Sequence, residues 1–173
     1  MKNNPQTALI HAPRQAPQYI STIQPPLFRA STIIFQNTDA LFNRHWSDAY
    51  DYSYGTHGTP TTFTLADNIA QIEGGDFCLL APSGLSAINL VNSAFLSSGD
   101  EVWVADNIYG PNLEHLKNLQ DRYDIRVRIY NPIDAESFQP TEKTKLIWLE
   151  AAGSVTLEFP DLKNIVKKAQ QAN

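Results

Sequence analysis

The segment with the most chemical character is FCLLAPSGLSAINL, residues 77–90. An apolar run meets a bend of small residues, Pro82-Ser83-Gly84, and a second apolar stretch begins at once. At such a junction the amides of Gly84 and Leu85 and the hydroxyls of Ser83 and Ser86 stand in the first turn of a helix. Free N–H groups and the positive end of the helix dipole suit that place to a phosphate. The same residues also suit a plainer role, with Ser83 capping the helix and Gly84 easing the turn. No G-x-G-x-x-G and no GK[ST] is present, so dinucleotide and P-loop readings are poor. A second candidate is ADNIYGPN, residues 105–112. It follows a strand-like run, and ligands of open α/β sheets gather at the carboxyl ends of strands. Tyr109 there is placed to stack on a flat ring, or simply to pack at a strand–helix corner. A third is YSYGTHGTPT, residues 52–61, where Tyr, Thr and His share a loop with two glycines. Long irregular loops often carry function, and many are solvated surface.

Other reactive side chains offer less. Cys78 lies between Phe77 and Leu79 and reads as core. His11, His45 and His115 have no partners at metal-ligand spacing, so no metal site is expected. Lys163, Lys167 and Lys168 read as the solvated face of a helix.

These residues need elements to hold them. Residues 1–30 carry Pro5, Pro13, Pro17, Pro25 and Pro26, which forbid a continuous helix. An extended arm is expected, with one short helix near Thr7–His11, lying on another part of the protein. Thr32–Phe35 is a short apolar run, and Asn37 or Thr38 can cap a helix through Trp46. Residues 47–60 read as a loop. Thr61 or Thr62 then opens a helix that Gly74-Gly75 ends. Phe77–Leu80 is expected as a strand, Leu85–Leu96 as a helix apolar on nearly all sides and therefore buried. Strands at Glu101–Ala105, Ile125–Tyr130 and Lys145–Leu149 alternate with a helix at Pro111–Leu119, and Pro160 starts a last helix to about Ala169. Trp103 and Trp148 fall in strands and read as core. Alternating βα units predict an α/β fold with a mostly parallel sheet and helices on both faces. A pattern ending on a helix leaves one more strand expected.

Composition bounds the function classes. The chain has 173 residues, 42% of them hydrophobic, and a formal net charge of −5. A packed core follows, and one globular domain is the default. No run of Lys or Arg marks a nucleic-acid or membrane surface. No apolar run approaches a bilayer span, and the first residues lack the apolar core of a secretory signal. One cysteine excludes an internal disulfide framework. A soluble, cytoplasmic setting is expected.

The signals also come in a family's order. TALIHAPR (7–14), QPPLFRASTIIF (24–35), YGTHGTPT (54–61), EGGDFCLLAPSGLSA (73–87), GDEVWVADNIYGP (99–111) and KLIWLEAAGS (145–154) follow one another at matching spacing. The chain resembles the cystathionine β-lyase branch of the Cys/Met-metabolism pyridoxal-phosphate (PLP) enzymes over nearly its whole length. The resemblance implies a partial type I, aspartate-aminotransferase-like fold. It implies an arm and inter-subunit loop at 1–60 and the first part of a PLP-binding α/β domain at 61–173. Ser83, Gly84 and Leu85 then resemble the cofactor phosphate cradle and Tyr109 the residue stacked on the pyridine ring. Tyr54 resembles the tyrosine that reaches the phosphate in a neighbouring subunit, with Thr56 beside it, so a homodimer or homotetramer is implied. Ser154 stands near the position that holds the substrate carboxylate. The implied reaction is cleavage of cystathionine to homocysteine, pyruvate and ammonia, in methionine biosynthesis, with PLP as electron sink. Cystathionine γ-synthase, γ-lyase and sulfhydrylases share most of these motifs; HGTPT and AGS favour the β-lyase. No nucleic-acid or membrane partner is implied.

The chain departs from the pattern in three ways. Thr56, followed by His57, stands where the family often has Arg. The family's E-S-P reads Glu150-Ala151-Ala152. The family's Schiff-base lysine, its pyridine-pairing Asp and its carboxylate-gripping Arg have no match within these residues. None of Lys117, Lys143, Lys145, Lys163, Lys167 or Lys168 lies in a matching context. The expectation is therefore an N-terminal part of such an enzyme that is inactive alone. The rival of another class is a non-catalytic remnant.

Overall fold

The computed structural model describes residues 26–44 and 52–172. His45 and the helix expected near Thr7–His11 lie outside them; the helix expected to run through Trp46 ends sooner, at Phe42, with Asn43 as its C-cap. The chain divides into two compact units, Met1–Leu80 and Ala81–Asn173.

In the first unit, α1 spans Thr38–Phe42 and Asn37 caps it, its side chain accepting from the Ala40 amide at 2.8 Å. Helix α2 spans Pro60–Glu73. It begins earlier than expected because Thr62 Oγ1 accepts from the Thr59 amide at 2.8 Å, and Pro60 is preorganised for the first turn. Gly74 ends it in the left-handed conformation, at φ 73°. The described end of the arm does lie on another segment. Phe28 N–H donates to Thr61 Oγ1 at 2.8 Å, that hydroxyl donates to Pro26 O, and Thr32 and Tyr54 form an antiparallel bridge. Phe77–Leu80, expected as a strand, is irregular backbone. Its apolar residues fit a strand, but a strand needs a ladder, and among the described residues none pairs with it.

The second unit is an α/β layer. Helix α3 (Gly84–Phe95) precedes β1 (Glu101–Ala105), α4 (Gly110–Tyr123), β2 (Arg126–Tyr130), a single 3₁₀ turn at Ala135–Ser137, β3 (Thr144–Trp148) and α5 (Leu162–Gln171). The strands form a parallel sheet in the order β2-β1-β3. Helix α5 starts later than expected because Asp161, the residue after Pro160, caps it by accepting from the Asn164 amide.

Alternation along β1 builds a core on each face of the sheet. Val102 and Val104 are fully buried on one face with Leu116, Ile108 and Ile125. Trp103 and Ala105 pack on the other with Tyr130, Phe138 and Ile165 of α5. Trp103 meets Phe138 edge to face, ring centroids 5.3 Å apart. Each such buried side chain contributes about 1.5–3 kcal/mol. At the amino end of β1, the buried Glu101 carboxylate accepts from Trp103 Nε1 (2.8 Å), Arg128 Nε (2.9 Å) and Thr144 Oγ1 (3.0 Å). Burial by itself would raise that carboxyl; the Arg128, Trp103 and Thr144 donors outweigh it and hold it below the usual carboxylate range.

Helix α3 is not buried as expected. Leu90 is 52% exposed and Phe95 60%, and Asn92 is its fully buried residue. The helix packs on α4 and β3, while Leu85, Leu90 and Phe95 remain exposed.

Candidate functional site

The chain runs from β1 to β2 on one side of β1 and then crosses to β3 on the other. The strand order therefore reverses between β1 and β3. In an open α/β sheet, a crevice opens at the carboxyl ends of the two strands flanking that reversal. A cleft of about 300 Å³ lies there, lined by Ile88 of α3, Ile108, Tyr109 and Asn112 around the start of α4, and Trp148, Leu149 and Glu150 at the end of β3.

Three elements meet at this cleft, and one buried amide joins them. Asn92 on α3 donates through Nδ2 to Asn112 Oδ1 on α4 at 3.0 Å. Its Oδ1 accepts from Trp148 Nε1 on β3 at 2.9 Å. Asn92 thus ties together three elements far apart in sequence.

Ser83 caps α3 from extended backbone. Its Oγ accepts from the Ser86 amide at 3.1 Å and lies 2.8 Å from Ser86 Oγ. The Ala87 amide reaches Ser83 O. Gly84 and Leu85, as the first two helical residues, keep N–H groups with no intrahelical acceptor. Among the described residues a Cβ at Gly84 would meet nothing within 4 Å, so the space beside the first helical residue is open. Ile88, which lines the cleft, is one helical turn beyond Gly84, about 6 Å along the axis. Two free amides, two hydroxyls and open space at the positive end of a 12-residue helix fit a phosphate. Tyr109 immediately precedes α4 and is 41% exposed at the cleft, a face available to a flat ring. The residues present thus fit a phosphorylated aromatic cofactor.

Ser154 sits in the loop after β3, and its amide donates to Asn107 O at 3.0 Å. Tyr54 and Thr56 belong to the first unit. Gly55 N–H donates to Ser31 O at 2.6 Å, and His57 N–H returns to Tyr54 O. A Cβ at Gly55 would lie 1.8 Å from Ala30 O, so only glycine allows this approach. Tyr54 and Thr56 are exposed there. His57 packs at 6.1 Å from the Phe63 ring and lines a separate hollow with Cys78.

Sequence reasoning gave no role to Glu150, which lines the cleft, to Asn92, which bonds two of its lining residues, or to Asn107 in the loop beside it. Glu150 Oε2 accepts from the Tyr109 amide at 2.7 Å. Asn107 stood inside the ADNIYGPN motif without a role. The only signal for Asn92 was a polar residue on the inner side of an apolar helix.

The family model for Cys/Met metabolism PLP-dependent enzymes matches residues 6–173. The chain belongs to that family. It is 32% identical over 175 residues to the cystathionine beta-lyase of Haemophilus influenzae, covering 96% of this chain and 43% of that protein. It is 31% identical to the L-alanine/L-glutamate racemase of Wolbachia pipientis, covering 96% and 44%. In fold it is similar to the cystathionine gamma synthase of Xanthomonas oryzae, at TM-score 0.81 and 22% identity over 99% of this chain and 43% of that one. The chain therefore spans less than half the length of these family members. The type I PLP-enzyme fold expected from the motifs is the fold observed.

Proposed function

We propose that this chain supplies the phosphate-binding and ring-stacking part of a PLP-dependent carbon–sulfur lyase acting on cystathionine. One observation carries the reading: the cleft at the sheet's switch point is lined by Tyr109 and by Ile88, one turn along the same helix from the uncapped first-turn amides of Gly84 and Leu85. Ser83 Oγ and the Gly84 and Leu85 amides hold the phosphate. Tyr109 covers the ring and keeps water from that face. Ser154 contacts the substrate carboxylate. Bound PLP supplies an electron sink for the substrate's Cα. Tyr54 and Thr56 face the cofactor of a second subunit in a dimer, with 1–60 as arm and loop and 61–173 as cofactor domain.

The likeness to a named cystathionine beta-lyase supports the lyase over its relatives. The likeness to a racemase favours a second reading, in which the same PLP site moves the Cα proton without breaking a carbon–sulfur bond. The gene product that carries this chain is incubated with PLP and either L-cystathionine or L-alanine. Pyruvate and homocysteine from the first establish the lyase. Release of 2-oxobutyrate points to a γ-acting enzyme, and D-alanine with no pyruvate points to the racemase. Either of those results removes the lyase reading.

A further inference from the structure

The loop after β1 and the loop after β3 are bound to each other chiefly through Asn107. Asn107 is buried, with 8% of its surface exposed. Its Nδ2 donates to Thr156 Oγ1 at 3.1 Å and to Glu158 Oε2 at 2.8 Å. Its own carbonyl accepts the Ser154 amide at 3.0 Å. Within the loop after β3, Gly153 is drawn in so tightly that a Cβ there would lie 2.0 Å from Asn107 Nδ2. The loop then closes on itself, with Gly153 N–H donating to Glu158 O and Leu157 N–H to Gly153 O. It holds Val155 and Leu157 at φ 68° and 60°, a region that side chains avoid unless other contacts hold them there. Two residues along, the Tyr109 amide is held by Glu150. The loop after β3 therefore holds both the backbone of Tyr109 and the serine proposed to meet the substrate.

We propose that Asn107 is a positioning residue that sets Ser154 against the substrate's α-carboxylate, and so helps the site select amino acids over amines. This rests on the reading of Ser154 given above. The chemistry fits the task. The bond to Glu158 is charge-assisted, hence short and directional. A carboxylate contact held to within a fraction of an ångström needs such a support. Asn107 touches neither substrate nor cofactor in this arrangement and acts through Ser154 alone.

The test uses the PLP-loaded gene product that carries this chain. Binding of L-alanine and of ethylamine, the same amine with and without a carboxylate, is followed by cofactor absorbance. Ser154→Ala and Asn107→Ala are each expected to weaken L-alanine about tenfold and leave ethylamine unchanged, the double variant losing little more. Hydrogen exchange of the amides at 153–157, measured without any ligand, is expected to quicken in Asn107→Ala and not in Ser154→Ala. Should Asn107→Ala not fold, Glu158→Ala carries the same test, with Glu158→Gln restoring both readouts through its remaining carbonyl acceptor. If Ser154→Ala is selective and the Asn107 and Glu158 variants weaken both ligands alike, or neither, the proposal is overturned while the reading of Ser154 stands. If Ser154→Ala itself shows no carboxylate selectivity, that reading fails and the proposal with it.

Discussion

Replacing Asn92 by Leu tests whether the cleft is assembled by polar contacts rather than by apolar packing. Leu keeps the four-heavy-atom, γ-branched shape of Asn but is bulkier, so no cavity opens and any crowding only adds to the cost. What changes is bonding. Trp148 Nε1 loses its acceptor at 2.9 Å and Asn112 Oδ1 loses its donor at 3.0 Å. Asn112 is almost fully buried, and water cannot readily take over. Each buried group left without a partner costs about 1–3 kcal/mol. Trp148 is half-buried and belongs at the low end, so the pair costs about 2–4 kcal/mol. For a chain of this length that lowers the melting temperature by about 4–16 °C. The indole bands of near-ultraviolet circular dichroism report the transition, because Trp148 loses its fixed partner. Changing Asn92 and Asn112 to Leu together removes both halves of one bond, so the double variant loses less than the sum of the singles. An Asn92→Leu protein melting within about 1 °C of the parent refutes the reasoning, since that shift is worth well under 1 kcal/mol.

Further outcomes follow from other contacts. Glu101 is held below the usual carboxylate range by Arg128, Trp103 and Thr144, against the opposing effect of burial. In acid the unfolded chain takes up that proton before the folded one does, so this stability is present at neutral pH and lost as pH falls through the folded value. Glu101→Gln therefore flattens the acid arm of a melting-temperature profile, and an unchanged arm contradicts it. Tyr130 is pushed up to about 12, chiefly by burial and then by Asp106. Its hydroxyl stays neutral in the fold while the unfolded chain ionises from about pH 10, so stability from Tyr130 is intact below pH 10 and drains away towards 12. Absorbance at the phenolate band, compared with Tyr130→Phe, shows one tyrosine titrating late; a Tyr130 that ionises near the free value contradicts the burial. Gly153→Ala forces a methyl onto Asn107 Nδ2 and costs about 1–3 kcal/mol in chemical denaturation; a neutral result shows that the two loops are not locked.

What could be read from residues alone was what neighbours in sequence decide. Glu101–Ala105 is a short run rich in β-formers that follows the Gly99-Asp100 turn, and the strand has those bounds. Ser83 before Gly84 is a local cap signal, and it caps. Phe77–Leu80 has strand-like residues but needs a ladder partner that local pattern does not reveal. Leu90 and Phe95 looked like core because they are apolar, yet burial depends on what packs over a helix. That Tyr109 stands at the carboxyl rim of the sheet was visible from its place after β1. The Asn107 contacts to Thr156 and Glu158 span 49 and 51 residues, and no spacing rule reaches that far.

The most direct measurement is a crystal structure of the gene product that carries this chain with PLP bound. The account predicts phosphate oxygens about 2.7–3.2 Å from the Gly84 and Leu85 nitrogens and Ser83 Oγ. It also predicts the pyridine ring lying against Tyr109. A phosphate seated elsewhere, with Gly84 and Leu85 facing solvent, contradicts it.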